Sequence, residues 1–281
     1  MSRVEEILGL VKHVQPFPKV AQRVMGLLAD PETDVRLLAE VIQYDEVITA
    51  NVLKICNAPY FGLSRKVSSL REALVVIGDK NLKDIIITSS SARFYKGAVG
   101  SGYELEQGEL WRHSVAVAIM VKQLVGKVQG VDSGAAFTAG LLHDIGKRFL
   151  SSFVSDDFER IMARVSEGER SFVEVEQEIL GVSHANLGGI ILKHWEFPED
   201  IQQAVMLHHD PEVLSKEPLA ALVALSNALV ISMGIGVGAD GLATKLQGEG
   251  LRRFGITRSH LDMCMANLLH ELEEAEELLQ L

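Results

Sequence analysis

The sequence predicts an all-helical protein of two lobes. Apolar residues recur at helical spacing along most of the chain, and no segment alternates in the manner of a half-buried strand. The stretch Gly97-Ala-Val-Gly-Ser-Gly102 weakens any helix through the backbone entropy of its glycines. It is therefore expected to separate an N-terminal helical lobe, residues 1–98, from a second helical lobe, residues 105–281.

In the first lobe Val35, Leu38, Ala39 and Ile42 form one stripe, with Asp34 and Asp45 placed as N-caps. Pro31 and Pro59 stand where helices should stop or start. In the second lobe Val117, Met120, Val121 and Leu124 repeat the pattern. The chain ends in a helix on which Leu261, Leu268, Leu272 and Leu279 alternate with acidic residues after a Thr257 cap. This helix is expected to pack on its own lobe rather than on a partner, the other reading its stripe allows, with Glu271 to Glu277 as a solvated face.

Of the 281 residues 47% are apolar and 23% charged, a mixture that can bury substantial cores. Met1 to Val11 alternates charge with apolar residues, and no apolar run reaches the roughly 20 residues of a membrane span, so the expected location is cytoplasmic. Cys56 and Cys264 read as isolated buried thiols rather than a disulfide or a thiolate metal site. The net charge of −11 argues against binding along duplex nucleic acid. It is unevenly spread: residues 1–100 carry 13 basic and 11 acidic side chains, the remainder 14 and 27.

Chemistry is concentrated in histidines on apolar stripes. His113 shares a face with Val117, Met120 and Val121. His143 and Asp144 follow Ala136, Ala139 and Gly140 on the stripe of a helix ending in Gly146 and Lys147, where they lie about 100° apart, so that a long and a short side chain can both reach one ion. His184 shares its stripe with Leu187, Gly188, Ile191 and Leu192, while His208 and His209 end the series Ile201, Ala204, Val205. A single histidine on such a face is more often a hydrogen-bonded core residue than a ligand. Five buried imidazoles and a carboxylate are a different case, because their desolvation costs several kcal/mol unless partners are found, and a cation satisfies them together. Nitrogen and carboxylate ligands without thiolate suit iron, manganese, nickel or zinc. A metal-activated water could attack a phosphorus centre, with Asp144 and Lys147 as the catalytic candidates and Lys147 steering a phosphate. Lys147 reads equally well as a surface lysine near a helix end. A separation from Asp144 greater than about 7 Å would remove His113 or His184 from a shared site.

The run Gly140-Leu-Leu-His-Asp-Ile-Gly-Lys147 resembles the HD signature of metal-dependent phosphohydrolases. Trp111-Arg-His113 precedes it, and Ser183-His-Ala-Asn-Leu-Gly188, Trp195-Glu-Phe-Pro198 and His208-His209 follow in the order of the HD and HDOD families. Pro16-Phe-Pro18, Ala21 to Leu28, Leu37 to Ile42, Asn57-Ala-Pro-Tyr-Phe-Gly62 and Val67 to Gly78 resemble the HDOD pattern, so the likeness runs over roughly residues 10–215. Asn57 to Gly62 itself reads as the shaping of a helix exit rather than as a ligand site.

The resemblance implies a regulatory or output module of bacterial signalling that works on a signalling protein partner, with a nucleotide or phosphate as the candidate small ligand. Carried over from the related HD-GYP phosphodiesterases, the metal ligands fall on His113, His143, Asp144, His184, His208 and His209. Asn227 stands where a final aspartate is expected, and Asp210-Pro-Glu-Val213 replaces the Gly-Tyr-Pro segment. The leading expectation is a binding module with a metal-capable pocket. The alternatives are an active metal-dependent phosphohydrolase or phosphodiesterase and, on ligand type alone, a metal- or redox-responsive sensor.

Overall fold

The computed structural model describes residues 2–28, 30, 33–57, 66–95, 101–168, 170–210, 212–213, 217–240 and 248–279. Among the described residues the regular elements are helices. The chain divides into two compact units. One comprises residues 15–93 with a few residues at the C-terminal end, the other residues 1–14 with 94–274.

The smaller unit holds α2 (Lys19–Leu27), α3 (Val35–Ile42), α4 (Glu46–Cys56), α5 (Leu70–Ile77) and α6 (Asp79–Ser91). Helix α4 lies against α5 and α6, and α3 against α2 and α5. Both expected caps are present: Asp34 accepts from the Arg36 amide at 2.8 Å, and Asp45 from the amides of Val47 and Ile48 at 3.1 and 3.0 Å. Leu38 and Ile42 of the expected stripe are buried. Asn57 ends α4 by donating to the carbonyls of Leu53 and Val67 and accepting from the Val67 amide, so it does shape the helix exit. The rest of the Asn57–Gly62 motif, Pro31, Pro59 and residues 97–100 lie outside the described residues.

The larger unit contains α1 (Arg3–Val11), α7 (Glu109–Leu124), α8 (Ser133–Leu142), α9 (Ile145–Asp156), α10 (Phe158–Ser166), α11 (Phe172–Leu180), α12 (His184–His194), α13 (Glu199–Leu207), α14 (Pro218–Ser232), α15 (Gly248–Arg253) and most of α16 (Arg258–Leu279). Helix α7 is apolar almost all round because it packs on both α8 and α14. Each valine, isoleucine or leucine buried there contributes about 1.5–3 kcal/mol. Helix α13 bridges α8, α12 and α14, and α12 lies on α9.

The division differs from the expected one at its edges. It falls between Arg93 and Phe94, and α1 belongs to the larger unit. The physical reason is visible on α1: Ile7 and Val11 are buried, and Arg3 pairs with Asp156 at 2.9 Å while its guanidinium covers the Phe153 ring. At the other end of the chain, Thr257 Oγ1 accepts from the His260 amide at 3.4 Å, Leu268 and Leu272 are buried, and Gln123 of α7 donates to Glu271 at 3.2 Å. Up to Glu274 the last helix thus packs within the larger unit. Cys56 and Cys264 are buried free thiols, and none of the described helices is long and apolar enough to cross a membrane.

Candidate metal centre

The functional side chains come from helix ends. His143 follows the last residue of α8, Asp144 precedes the first of α9, His184 opens α12, and His208 follows the last residue of α13 with His209 next. His113 and Asn227 stand well inside helices, α7 and α14. The expectation that His143 and Asp144 share one helix is corrected: the chain turns between them. Asp144 has φ −101° and ψ 11° and makes no side-chain capping bond. Asp34, Asp45 and Asp132 all spend their carboxylates on capping amides. That of Asp144 is left to face the imidazoles.

The turn requires close approach. A Cβ on Gly146 would stand 1.9 Å from the His184 carbonyl oxygen, so only glycine lets the start of α9 meet the start of α12. Asp144 becomes a two-sided hub. Its Oδ2 lies 3.2 Å from His143 Nε2 and 3.7 Å from His113 Nε2, and its Oδ1 lies 3.5 Å from His184 Nε2 and 3.6 Å from His208 Nε2. His209 Nε2 is 3.1 Å from His184 Nε2. His113 and His184 are therefore far inside the 7 Å limit set for shared ligation. The other histidines, His13, His194, His260 and His270, are exposed or half-buried.

The outer nitrogens fix the tautomers. His143 Nδ1 meets the Gly140 carbonyl at 2.8 Å and His208 Nδ1 the Val205 carbonyl at 2.7 Å, each using an oxygen left over in the last helical turn. His113 Nδ1 meets the Ile235 carbonyl at 2.9 Å, and His184 Nδ1 meets Glu176 Oε2 at 2.8 Å. Carbonyls and carboxylates only accept, so all four rings carry their proton on Nδ1. When neutral, each turns a lone pair on Nε2 toward Asp144. His113 Nε2 also lies 3.0 Å from Asn227 Oδ1, at the site's edge, and with the ring proton on Nδ1 it is the Asn227 NH₂, turned end for end, that donates to it.

Burial favours the neutral forms. It pushes His113 down to about 4, helped by His143, and lowers His143, His208 and His209 as well. His184 moves up instead, because Glu176 outweighs the same burial. Burial opposes charge on Asp144, yet His143 and Lys147 hold its carboxyl well below the usual range. Lys147 is not a surface lysine. Its Nζ is buried 2.7 Å from Asp144 Oδ2 and 2.5 Å from Asp240 Oδ2, and these carboxylates raise its pKa against desolvation.

Three supporting residues escaped the sequence reading. Glu176 is fully buried, accepts from both the backbone amide and Nδ1 of His184, and takes the Tyr103 hydroxyl on its other oxygen. Its signal was an acidic residue interrupting the stripe Phe172, Val175, Leu180. Tyr103 closes a single 3-10 turn, Ser101–Tyr103, and Asp240 sits in an irregular segment, neither long enough to show a periodicity.

The donor set fits a cation. His143 Nε2, His208 Nε2 and Asp144 Oδ1 are buried without a hydrogen bond, and such atoms are costly unless something positive binds them. Two groups of donors, each with its ligand atoms within 4.8 Å of one another, share Asp144: one is His113, His143 and Asp144, the other Asp144, His184, His208 and His209. Nitrogen and oxygen donors whose rings are held from behind are the usual first and outer layers of a first-row metal site.

Comparison with known proteins agrees with this architecture. The HDOD domain family pattern matches residues 14–211. A solved HDOD domain protein of unknown function from Geobacter sulfurreducens superposes with a TM-score of 0.73 at 26% identity, covering 98% of this chain and 99% of that one. An uncharacterized protein of Treponema pallidum is 19% identical over 228 residues, 80% of this chain and 43% of its own length. A ribonuclease Y of Lawsonia intracellularis is 31% identical over 118 residues, 42% of this chain and 17% of its own. The chain thus spans less than half the length of either curated relative.

Proposed function

We propose that this chain, which belongs to the HDOD family, is a regulatory module of bacterial-type signal transduction that keeps a metal-capable pocket and acts mainly by binding a protein or ligand. The observation that carries the pocket is the set of four imidazoles whose Nδ1 protons are committed outward, leaving Nε2 lone pairs around one carboxylate. His113, His143, Asp144, His184, His208 and His209 would hold the metal. Because these residues come from different helices, an ion bound only by the folded state would brace them against one another.

Binding rather than turnover is favoured by two features. Asn227 brings no negative charge to the edge of the site, and the ligands other than half-buried His209 are buried with Lys147 already engaged by two carboxylates. A specific observation favours the second reading, a metal-dependent phosphodiesterase: the partial likeness to a ribonuclease Y, taken with a lysine beside the hub aspartate. In that case the bound metal would polarise a phosphoryl oxygen and lower the pKa of a water. His143 and His208 would stay oriented by their carbonyls, and Lys147 would hold a phosphate oxygen.

The test compares the parent with His143→Ala and Asp144→Ala for metal content, melting temperature, partner binding and hydrolysis of phosphodiester and cyclic-nucleotide panels. The module reading expects both variants to lose metal and stability while the parent turns over little. Parent turnover of about 1 s⁻¹ or more, abolished in both variants, would establish the enzyme instead. Asn227→Asp restores a carboxylate, and the expected result is higher metal loading with hydrolysis that the parent lacks.

A further inference from the structure

The segment leaving α14 touches the centre at both of its ends. Near its start the Ile235 carbonyl receives His113 Nδ1 at 2.9 Å, and at its end Asp240 Oδ2 stands 2.5 Å from Lys147 Nζ. Between these anchors the backbone is pressed onto its neighbours. Gly236 has φ +63°, and a Cβ there would stand 2.5 Å from His113 Cβ; at Gly238 it would stand 2.4 Å from the Tyr103 carbonyl oxygen. The Ala239 amide donates to that same oxygen at 3.0 Å. The run from Gly234 to Asp240 is therefore a strap laid over the centre.

The strap decides what Lys147 can do. One side of the ammonium is taken by Asp144 at 2.7 Å and another by Asp240, and Tyr103 offers its ring 5.7 Å away. Lysine is 4% and Asp240 9% exposed, so no donor is presented to an anion arriving from solvent. Of the two carboxylates, Asp144 cannot leave: it is fully buried among four imidazoles and lies one turn before the lysine on the same stretch of chain. Asp240 can, because it stands in an irregular segment and would regain hydration in water, while an incoming phosphate oxygen would keep the buried lysine paired.

We propose that Asp240 is an internal anion occupying the position on Lys147 that a phosphate group would take, and that the strap of residues 234–240 must lift for a phosphate ester to reach the centre. The inference rests on the proposed pocket and deepens it by naming what keeps that pocket closed. A ligand that binds only the lifted state has its affinity reduced by the fraction of molecules lifted, so anything that loosens the strap should tighten phosphate binding. Lifting would also withdraw the Ile235 carbonyl from His113, coupling anion binding to the orientation of that ring.

The test uses the whole chain and inorganic phosphate as the probe. Asp240→Asn removes the competing charge with little change of shape, and Gly238→Ala dislodges the strap while keeping the charge. Each is expected to bind phosphate about tenfold more tightly than the parent, and saturating phosphate should speed hydrogen exchange at the Ala239 amide of the parent. Failure of either folded variant to tighten binding overturns the proposal. If a variant does not fold, Ala239 exchange in the parent decides, and unchanged exchange at saturating phosphate overturns it. Metal content of the same samples separates the two readings. A metal-loaded parent whose variants bind phosphate no tighter refutes the strap alone, whereas tightened binding in protein that takes up no metal supports the strap and refutes the pocket.

Discussion

The interior of residues 15–93 is built from Phe17, Val24, Leu38, Ile42, Val52 and similar side chains, and among the described residues its buried polar groups are the neutral hydroxyls of Thr88 to Ser91. The larger unit buries apolar side chains of the same kinds on α7 and α8. Beside them it adds four nearly inaccessible histidines, a lysine and three acids: His113, His143, His184, His208, Lys147, Asp144, Glu176 and Asp240. Apolar burial stabilises a fold without further partners, whereas a buried charge destabilises it unless every partner is in place. The smaller unit therefore reads as a core optimised for folding, and the larger as a core that gives up stability to hold something.

The largest effect that would sharpen this contrast is expected at Lys147. Lys147→Met leaves Asp144 and Asp240 facing each other without their cation, and removing one member of such a buried set costs about 3–5 kcal/mol. Denaturant unfolding of metal-free protein should show this loss, and added divalent metal should recover part of it. Unfolding that is unchanged and indifferent to metal would break the comparison. In the smaller unit Ile42→Ala opens a cavity in a fully buried apolar site, with a cost of about 2–4 kcal/mol. Metal content of the folded Ile42→Ala protein is expected to match the parent.

A pH series separates the two interiors next. In metal-free protein His113 is held at about 4 by burial and by His143, against about 6.5 in an unfolded chain. As pH falls below the unfolded value, the unfolded state takes up a proton that the folded state refuses until near 4. Stability present above the unfolded pKa is thus lost on acidification. His113 alone accounts for roughly 2 kcal/mol between about pH 7 and 5. His143, His208 and His209 act in the same direction and His184 in the opposite one. Metal-free protein should melt at lower temperature in acid, and a melting temperature flat across this range would contradict neutral rings at the site.

The same contrast explains what could be read from sequence. Stripes such as Leu38–Ile42 and Val117–Val121 and the caps at Asp34 and Asp45 follow from local rules of spacing and chemistry. Five of the six metal-ligand candidates were legible because histidines on apolar stripes violate those rules, and Asp144 because it follows His143 in a run that resembles the HD signature. The turn between His143 and Asp144 was not, since it depends on α9 meeting α12 at Gly146, a contact between segments about forty residues apart in sequence. Asp240 was hidden because its partner Lys147 lies still further away along the chain, 93 residues before it. Helix α1 joined the larger unit through Arg3 and Ile7, which no nearby residue announces.

Glu176 supplies the smallest expected effect and the most selective one. Its Oε2 accepts from the His184 amide at 2.6 Å and from Nδ1 at 2.8 Å, while Oε1 takes the Tyr103 hydroxyl. Glu176→Gln can keep all three contacts: the amide oxygen accepts from His184 and the amide NH₂ donates to the Tyr103 oxygen. Only the negative charge is lost. Without it His184 loses the group that raises its pKa against burial, and its Nε2 becomes a weaker donor to a cation. Removing such an orienting partner typically weakens metal binding about 10- to 100-fold. The expected outcome is a fold with unchanged helical content, an affinity for divalent metal lower by that factor, and a His184 titration moved to lower pH in metal-free protein. If affinity is unchanged while His184 titrates lower, then Glu176 serves packing and not the metal. In that case the larger unit's polar interior would resemble the smaller unit's in purpose, and the reason for its cost in stability would have to be sought at Lys147.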